Sequence, residues 1–386
     1  MQSNNINKYI QNKLRVISKK NQLRKLIDVK RMPKNKVTYD NKRVISFSCN
    51  DYLSLSLNKK VIKASKNALQ SFGVGAGASR LVTGNSFLNS ILEDKIKDLK
   101  KTEACCIFGS GFLANLGTIS SLVNNKDLIL IDELSHASTF LGAKLSGAKI
   151  IKFIHNNTND LEVKLIKYRN KYNKCLILTE GIFSMDGDLS PQDKISDIKN
   201  NYNSILMVDD AHGFGVLGDG SGSNSIFKKR PDIDIYIGTL SKAVGSYGGF
   251  VCGSKDLIEF IINRCRTQIY TTGLPPSVIA ACIKSIDIIT KNKELIKKPL
   301  TYAKYFCKKL ELKEPESPIV PVVIGNEKET LNLSQTLLKN DLLVGAIRPP
   351  TVPINTSRLR IAFNSSHTKG QINKLVKLLK KNIDFK

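Results

Sequence analysis

The sequence predicts an α/β protein: a large domain on a mostly parallel, seven-stranded sheet covered by helices, followed by a smaller C-terminal α+β domain. Two observations predict it. Between about Ser46 and Gly253, short apolar runs alternate with amphipathic stretches of helical length, and after Pro275-Pro276 strands and helices no longer alternate strictly. A length of 386 residues suits two domains, and 41% hydrophobic with 24% charged residues is ordinary globular usage.

Taken in order, residues 1–45 are expected to form an N-terminal helical segment. It is basic, with Asp28 the only acid in its first 31 residues, and it contains no apolar core of a secretory leader. The large domain is expected over residues 46–280. Its strands are Ala104 to Phe108, Leu128 to Asp132, Lys149 to Phe153, Cys175 to Thr179, Ile205 to Asp209, Ile233 to Gly238 and Gly249 to Cys252, each a short run rich in apolar and β-branched residues. The glycine-rich stretch Gly73 to Gly84 must be irregular, because so many glycines disfavour both helix and strand. The small domain, residues 281–386, reads as a long helical stretch, a strand at Ile319 to Ile324, a helix near Thr330 to Lys339, a strand around Arg358 to Phe363 and a last helix.

The formal charge of +27 comes from lysines scattered along the chain. No nucleic-acid reader motif accompanies it, so a nucleic-acid partner is not expected, although a basic surface suits an anionic substrate. No stretch approaches the roughly 18 unbroken apolar residues of a membrane span. The eight cysteines form no CxxC pair and no Cys/His cluster, which points to a reducing, cytoplasmic setting and to no metal.

Open α/β sheets bind ligands at the carboxyl ends of their strands, and the suggestive polar residues of this sequence fall there. Lys242, in Gly238-Thr239-Leu240-Ser241-Lys242-Ala243, directly follows an apolar strand. A lysine there is often a solvated loop residue; if burial lowers its pKa, its amine can form an imine with an aldehyde cofactor. Asp209, closing the strand in Leu206-Met207-Val208-Asp209-Asp210-Ala211-His212-Gly213, can cap a helix or hold a pyridine nitrogen protonated, which makes the ring an electron sink. Phe108-Gly109-Ser110-Gly111-Phe112 is a strand, a small-residue turn and a helix start, so backbone N–H groups can point at a phosphate, with Thr239 and Ser241 adding hydroxyls. His136 and His212, two of only four histidines, stand beyond strand ends beside these candidates.

Together with Asn50-Asp51-Tyr52-Leu53, Gly77-Ala78-Ser79-Arg80-Leu81 and Thr179-Glu180-Gly181-Ile182-Phe183-Ser184-Met185-Asp186-Gly187-Asp188, these segments resemble the α-oxoamine synthases over almost the whole chain, in order and approximate spacing. The resemblance implies the type I aspartate-aminotransferase fold, pyridoxal 5'-phosphate (PLP) as cofactor, a homodimer with shared active sites, and decarboxylative condensation of an amino acid with an acyl thioester. It further implies that Lys242 is the Schiff-base lysine and α-proton base, that Asp209 pairs with the pyridinium and His212 with the phenolic oxygen, and that His136 stacks on the ring. Ser110, Gly111, Phe112 and Thr239 would hold the cofactor or its phosphate, with Thr271 or Thr272 reaching in from the partner subunit. Ser184 and Asn50 would line the site, and Arg24, Asn50 and Arg358 would bind substrate, Arg358 through the amino-acid carboxylate.

Within the family, Ile347-Arg348-Pro349-Pro350-Thr351-Val352-Pro353 followed by Arg358-Leu359-Arg360 is most similar to the biotin-pathway 8-amino-7-oxononanoate synthases. These join L-alanine to a pimeloyl thioester carried on coenzyme A or an acyl carrier protein. Other branches take glycine or serine with different acyl groups and share the core motifs. Departures from the family pattern are Ser54, Ser241 and Asn355, each where glycine is common.

Overall fold

A computed structural model of the chain describes residues 5–384. Its N-terminal part corrects the expectation of a helical segment over residues 1–45. A helix spans Asn5–Lys19 with no buried residue, and three antiparallel strands follow: β1 (Val29–Arg31), β2 (Lys36–Tyr39) and β3 (Lys42–Ser46). The β2–β3 turn is made by Asp40 and Asn41, both at positive φ (46° and 60°), the conformation that a two-residue hairpin demands and that Asp and Asn tolerate.

The large sheet contains the seven expected strands: β4 (Ala104–Phe108), β5 (Leu128–Asp132), β6 (Lys149–Phe153), β7 (Cys175–Glu180), β8 (Ile205–Asp209), β9 (Ile235–Thr239) and β10 (Gly249–Gly253). Their order is β4-β10-β9-β8-β7-β5-β6, and β10 runs antiparallel to both its neighbours. Alternate residues feed two cores. Ile107, Leu130, Ile177, Leu206 and Val208 face one, while Cys106, Phe108, Ile129, Leu178 and Met207 face the other. A sheet buried on both faces explains why its strands read as unbroken apolar runs.

The C-terminal region holds β11 (Ile319–Gly325), β12 (Leu342–Leu343), β13 (Gly345–Ile347) and β14 (Ser357–Ala362). Three of them form the sheet β11-β14-β13, covered by helices Lys293–Leu310, Glu327–Lys339 and Lys369–Asn382 around Phe306, Val320, Leu337, Leu359, Ile361 and Leu375. The short β12 joins β3 in parallel instead, which ties the N-terminal strands to this end of the chain.

Two departures from the family pattern have a backbone explanation. Ser54 (φ 55°) and Asn355 (φ 61°) hold left-handed conformations that glycine adopts without strain. Among the described residues no helix is long and apolar enough to cross a membrane.

Candidate active site

The carboxyl ends of β4, β5, β7, β8 and β9 converge on one crevice. At the end of β4, Ser110 caps the helix Gly111–Leu122: its Oγ accepts the Leu113 N–H at 3.1 Å and its carbonyl accepts the Ala114 N–H at 3.0 Å. The N–H groups of Gly111 and Phe112 come before these bonds and are positioned for an anion. The cradle is tight. A Cβ on Gly249 would lie 2.4 Å from the Gly111 nitrogen, and one on Gly111 would lie 3.4 Å from Thr239 Cβ. The Thr239 hydroxyl donates to the Gly248 carbonyl at 2.9 Å and meets Ser241 Oγ at 2.8 Å.

Asp209 ends β8 with its carboxylate buried. Oδ2 accepts from Asn115 Nδ2 at 2.6 Å and Oδ1 from the Ala211 N–H at 3.0 Å, so both oxygens are held in place. Three residues on, His212 is buried with Nδ1 2.7 Å from the Tyr52 hydroxyl; burial, and then the positive Lys242 and Arg360, push its pKa well below the ordinary value, so the ring is neutral. Beside Asp209 in the sheet, Glu180 ends β7 and accepts the His136 backbone N–H at 2.5 Å. Burial and the neighbouring Asp209 raise its carboxyl well above the usual range. His136 stands on the exposed rim, where its Nδ1 lies 2.7 Å from Ser138 Oγ. Lys242 follows β9. Burial lowers its pKa to about 8, against the opposing pull of Asp209 and Glu180 and with the help of Arg360, so a far larger fraction of this amine is neutral near physiological pH than in an ordinary lysine, although the charged form still predominates there.

The two arginines of β14 have different surroundings. Arg358, the expected carboxylate ligand, is turned to Asp186, with further bonds to the Thr356 carbonyl (3.0 Å) and the Met185 carbonyl (3.4 Å). Arg360 instead donates to Asn50 Oδ1 (3.0 Å), the Ser184 carbonyl (2.5 Å) and the Tyr52 hydroxyl (3.4 Å), and its charge acts on Lys242 and His212. Both project from one face of the strand, so the alternation Arg-Leu-Arg left two candidates where the sequence analysis named one. Ser184 thus contributes its backbone carbonyl to this corner, and Asn50 its amide. Tyr52 and Asn115 were assigned no role in the site for another reason: their partners lie 160 and 94 residues away in sequence.

Away from this corner, Arg24 donates to Thr351 Oγ1 at 3.1 Å, and Arg348, close enough to feel Arg24, donates to the Asn21 carbonyl. Thr271 packs near Gly109 of its own chain, and Thr272 bridges to Ser79 in the glycine-rich segment.

A helix N-terminus for a phosphate, a fixed buried carboxylate for a pyridine nitrogen, a neutral histidine for a phenolic oxygen and a lysine amine of lowered pKa for an aldehyde are the groups that PLP requires. The fold and this site define a PLP enzyme of the type I aspartate-aminotransferase class. The chain matches the family described as aminotransferase class I and II over residues 42–379. It is 47% identical over 369 residues to a putative 8-amino-7-oxononanoate synthase of Caulobacter vibrioides, covering 96% of each chain, and 46% identical over 336 residues to the 8-amino-7-oxononanoate synthase of Beijerinckia indica, covering 87% of each. Among solved structures it is similar to a serine palmitoyltransferase from S. paucimobilis with bound PLP and myriocin (TM-score 0.92, 27% identity, 98% of each chain). It is also similar to the 8-amino-7-oxononanoate synthase of Francisella tularensis (TM-score 0.75, 29% identity, 88% of this chain and 97% of that one). The chain belongs to the class I and II aminotransferase family and, within it, to the α-oxoamine synthases, PLP-dependent enzymes that transfer acyl groups.

Proposed function

We propose that this enzyme condenses L-alanine with a pimeloyl thioester to give 8-amino-7-oxononanoate, carbon dioxide and the free thiol carrier. The observation that carries this reading is the 47% identity, over 96% of both chains, to a protein named for that reaction. Local chemistry supports it. Arg24 and Arg348 form a guanidinium pair that makes no carboxylate salt bridge among the described residues, which suits the free carboxylate at the far end of a pimeloyl chain better than the methyl end of a fatty acyl group.

In this reading Lys242 holds the cofactor covalently, Asp209 faces its pyridine nitrogen, His212 its phenolic oxygen and His136 its ring face. Gly111, Phe112 and Thr239 take the phosphate, joined by Thr271 or Thr272 from the second subunit of a homodimer. When bound, the cofactor supplies the electron sink that stabilises negative charge at the alanine Cα. Arg360 receives the alanine carboxylate, in place of the Arg358 expected from sequence. Lys242 Nζ, set free when the alanine amine displaces it, removes the α-proton, for which a pKa of about 8 suits it. The Cα–C bond to the thioester carbonyl forms as the thiol leaves, the bond to the carboxylate then breaks with loss of carbon dioxide, and a proton is returned to Cα to give the product.

The high structural similarity to serine palmitoyltransferase supports a second reading, serine or glycine with another acyl donor. Mass spectrometry of the product from PLP-loaded protein separates the two. An 8-amino-7-oxononanoate mass from alanine and pimeloyl-CoA, with no product from serine and palmitoyl-CoA, is the expected result, and the reverse pattern overturns it.

A further inference from the structure

His155 lies just beyond β6, outside the cofactor crevice. Its Nδ1 is 3.0 Å from Asp132 Oδ1 and its Nε2 2.7 Å from Asp188 Oδ2. A carboxylate at each ring nitrogen requires a proton on both, so the ring is an imidazolium clamped between two anions. The ring stands edge-on to Phe183, with centroids 4.3 Å apart, and is about one-fifth exposed, while Asp132 is fully buried. Consistent with this, hydrogen bonds to both carboxylates overcome burial and raise the pKa of His155 to about 10.

The two carboxylates belong to two of the loops that carry site residues, those after β5 and β7. Asp132 ends β5, and its Oδ1 also accepts the Leu134 N–H at 2.9 Å, fixing the turn that leads to His136. Asp188 lies in the loop that leaves β7. Its carbonyl accepts the Phe183 N–H at 3.1 Å, and Asn156 Nδ2 donates to its Oδ2 at 2.8 Å. Between Phe183 and Asp188 stand Ser184, whose carbonyl holds Arg360, and Asp186, which holds Arg358.

We propose that His155 is a positioning residue that staples the His136 turn to the Ser184 loop and thereby fixes the Arg360 guanidinium that receives the amino-acid carboxylate. The last clause rests on the function proposed above; the staple itself does not.

The test uses full-length, PLP-loaded protein carrying His155→Gln. Losing charge-assisted bonds at both nitrogens is expected to speed amide exchange in residues 132–136 and 181–190 by roughly 10-fold or more, with the strands β8 and β9 unchanged. The amino-acid KM should rise by a similar factor while the cofactor absorbance band and kcat stay near wild type. Should H155Q fold poorly, Asp188→Asn keeps the Asp132 contact and must loosen residues 181–190 more than residues 132–136. Wild-type exchange in both loops would overturn the staple. Faster exchange with an unchanged KM would overturn the link to Arg360 instead, and a wild-type protein inert to alanine would count against the function alone.

Discussion

The Tyr52 hydroxyl lies 2.7 Å from His212 Nδ1, joining residues 160 positions apart in a site where both are buried. The same hydroxyl accepts from Arg360 Nη2 at 3.4 Å, and of the two acceptors within reach of its proton, Nδ1 at 2.7 Å is much nearer than Asn50 Oδ1 at 3.4 Å. With the Tyr52 proton donated to Nδ1, the neutral ring carries its own proton on Nε2, which in the function proposed above would donate to the cofactor's phenolic oxygen. Tyr52→Phe removes this control without changing shape. One buried hydrogen bond is worth about 1 kcal/mol, so PLP affinity should fall roughly 5-fold in a cofactor titration while the fold is kept. Unchanged affinity would show that the tautomer is set by something else.

Arg358 and Arg360 differ by one pleat, and their substitutions should differ in kind. Arg360→Lys replaces a fork with a point charge, and loss of a charge-assisted pair predicts an amino-acid KM raised roughly 10- to 100-fold with the bound-cofactor spectrum intact. Arg358→Ala instead frees Asp186, which is about one-third exposed and can reach water, but it also removes a buried side chain that bonds the Thr356 and Met185 carbonyls, so its effect should be about 1–3 kcal/mol of stability in urea denaturation. Should R358A raise the KM and R360K leave it unchanged, the carboxylate role returns to Arg358.

What was legible in the sequence follows from locality. All seven strands of the large sheet could be placed because burial on both faces makes each an apolar run, and Lys242, Asp209, His212 and His136 stood out because each directly follows such a run. The hairpin of β2 and β3 was missed because its strands are only four and five residues long, too short for a clear alternation; the Asp40-Asn41 pair was the available signal. Tyr52, Asn115 and Arg360 act through partners far along the chain, and no local pattern reports which of two same-face arginines meets a carboxylate already in the protein.

Lys100 and Asp210 form an ion pair with 0% and 1% exposure. Lys100 Nζ donates to Asp210 Oδ2 (3.0 Å), the Ser221 carbonyl (2.7 Å) and Asn224 Oδ1 (3.1 Å), and lies 4.2 Å from the centre of the Tyr236 ring. The pair anchors the end of helix Phe87–Lys100 to the turn that carries His212. Lys100→Met strands a buried carboxylate and should cost about 3–5 kcal/mol in urea denaturation. The double variant K100M/D210N should recover part of that loss, because it removes the unpaired charge; a double variant no better than the single one would mean that packing around Lys100, not charge, is what matters.

Lys242 has the clearest pH signature. In cofactor-free protein its pKa of about 8 lies below the 10.5 of an ordinary lysine because burial disfavours its charged form. Between these values the unfolded chain holds a proton that the folded chain has released, so this group makes the fold gain stability as pH rises through that window, and its penalty is fully present below about pH 8. Denaturation of wild type and Lys242→Ala from pH 7 to 10.5 should therefore give curves that differ most at low pH, with the variant the more stable, and that converge as pH rises. The same titration governs capture of PLP, since only the neutral amine attacks an aldehyde: the rate of cofactor loading should climb with pH and level off above about 8, and K242A should lose both covalent loading and turnover. A stability difference independent of pH would mean that Lys242 is solvated in the cofactor-free state, and loading that still rises steeply above pH 9 would say the same by an independent route.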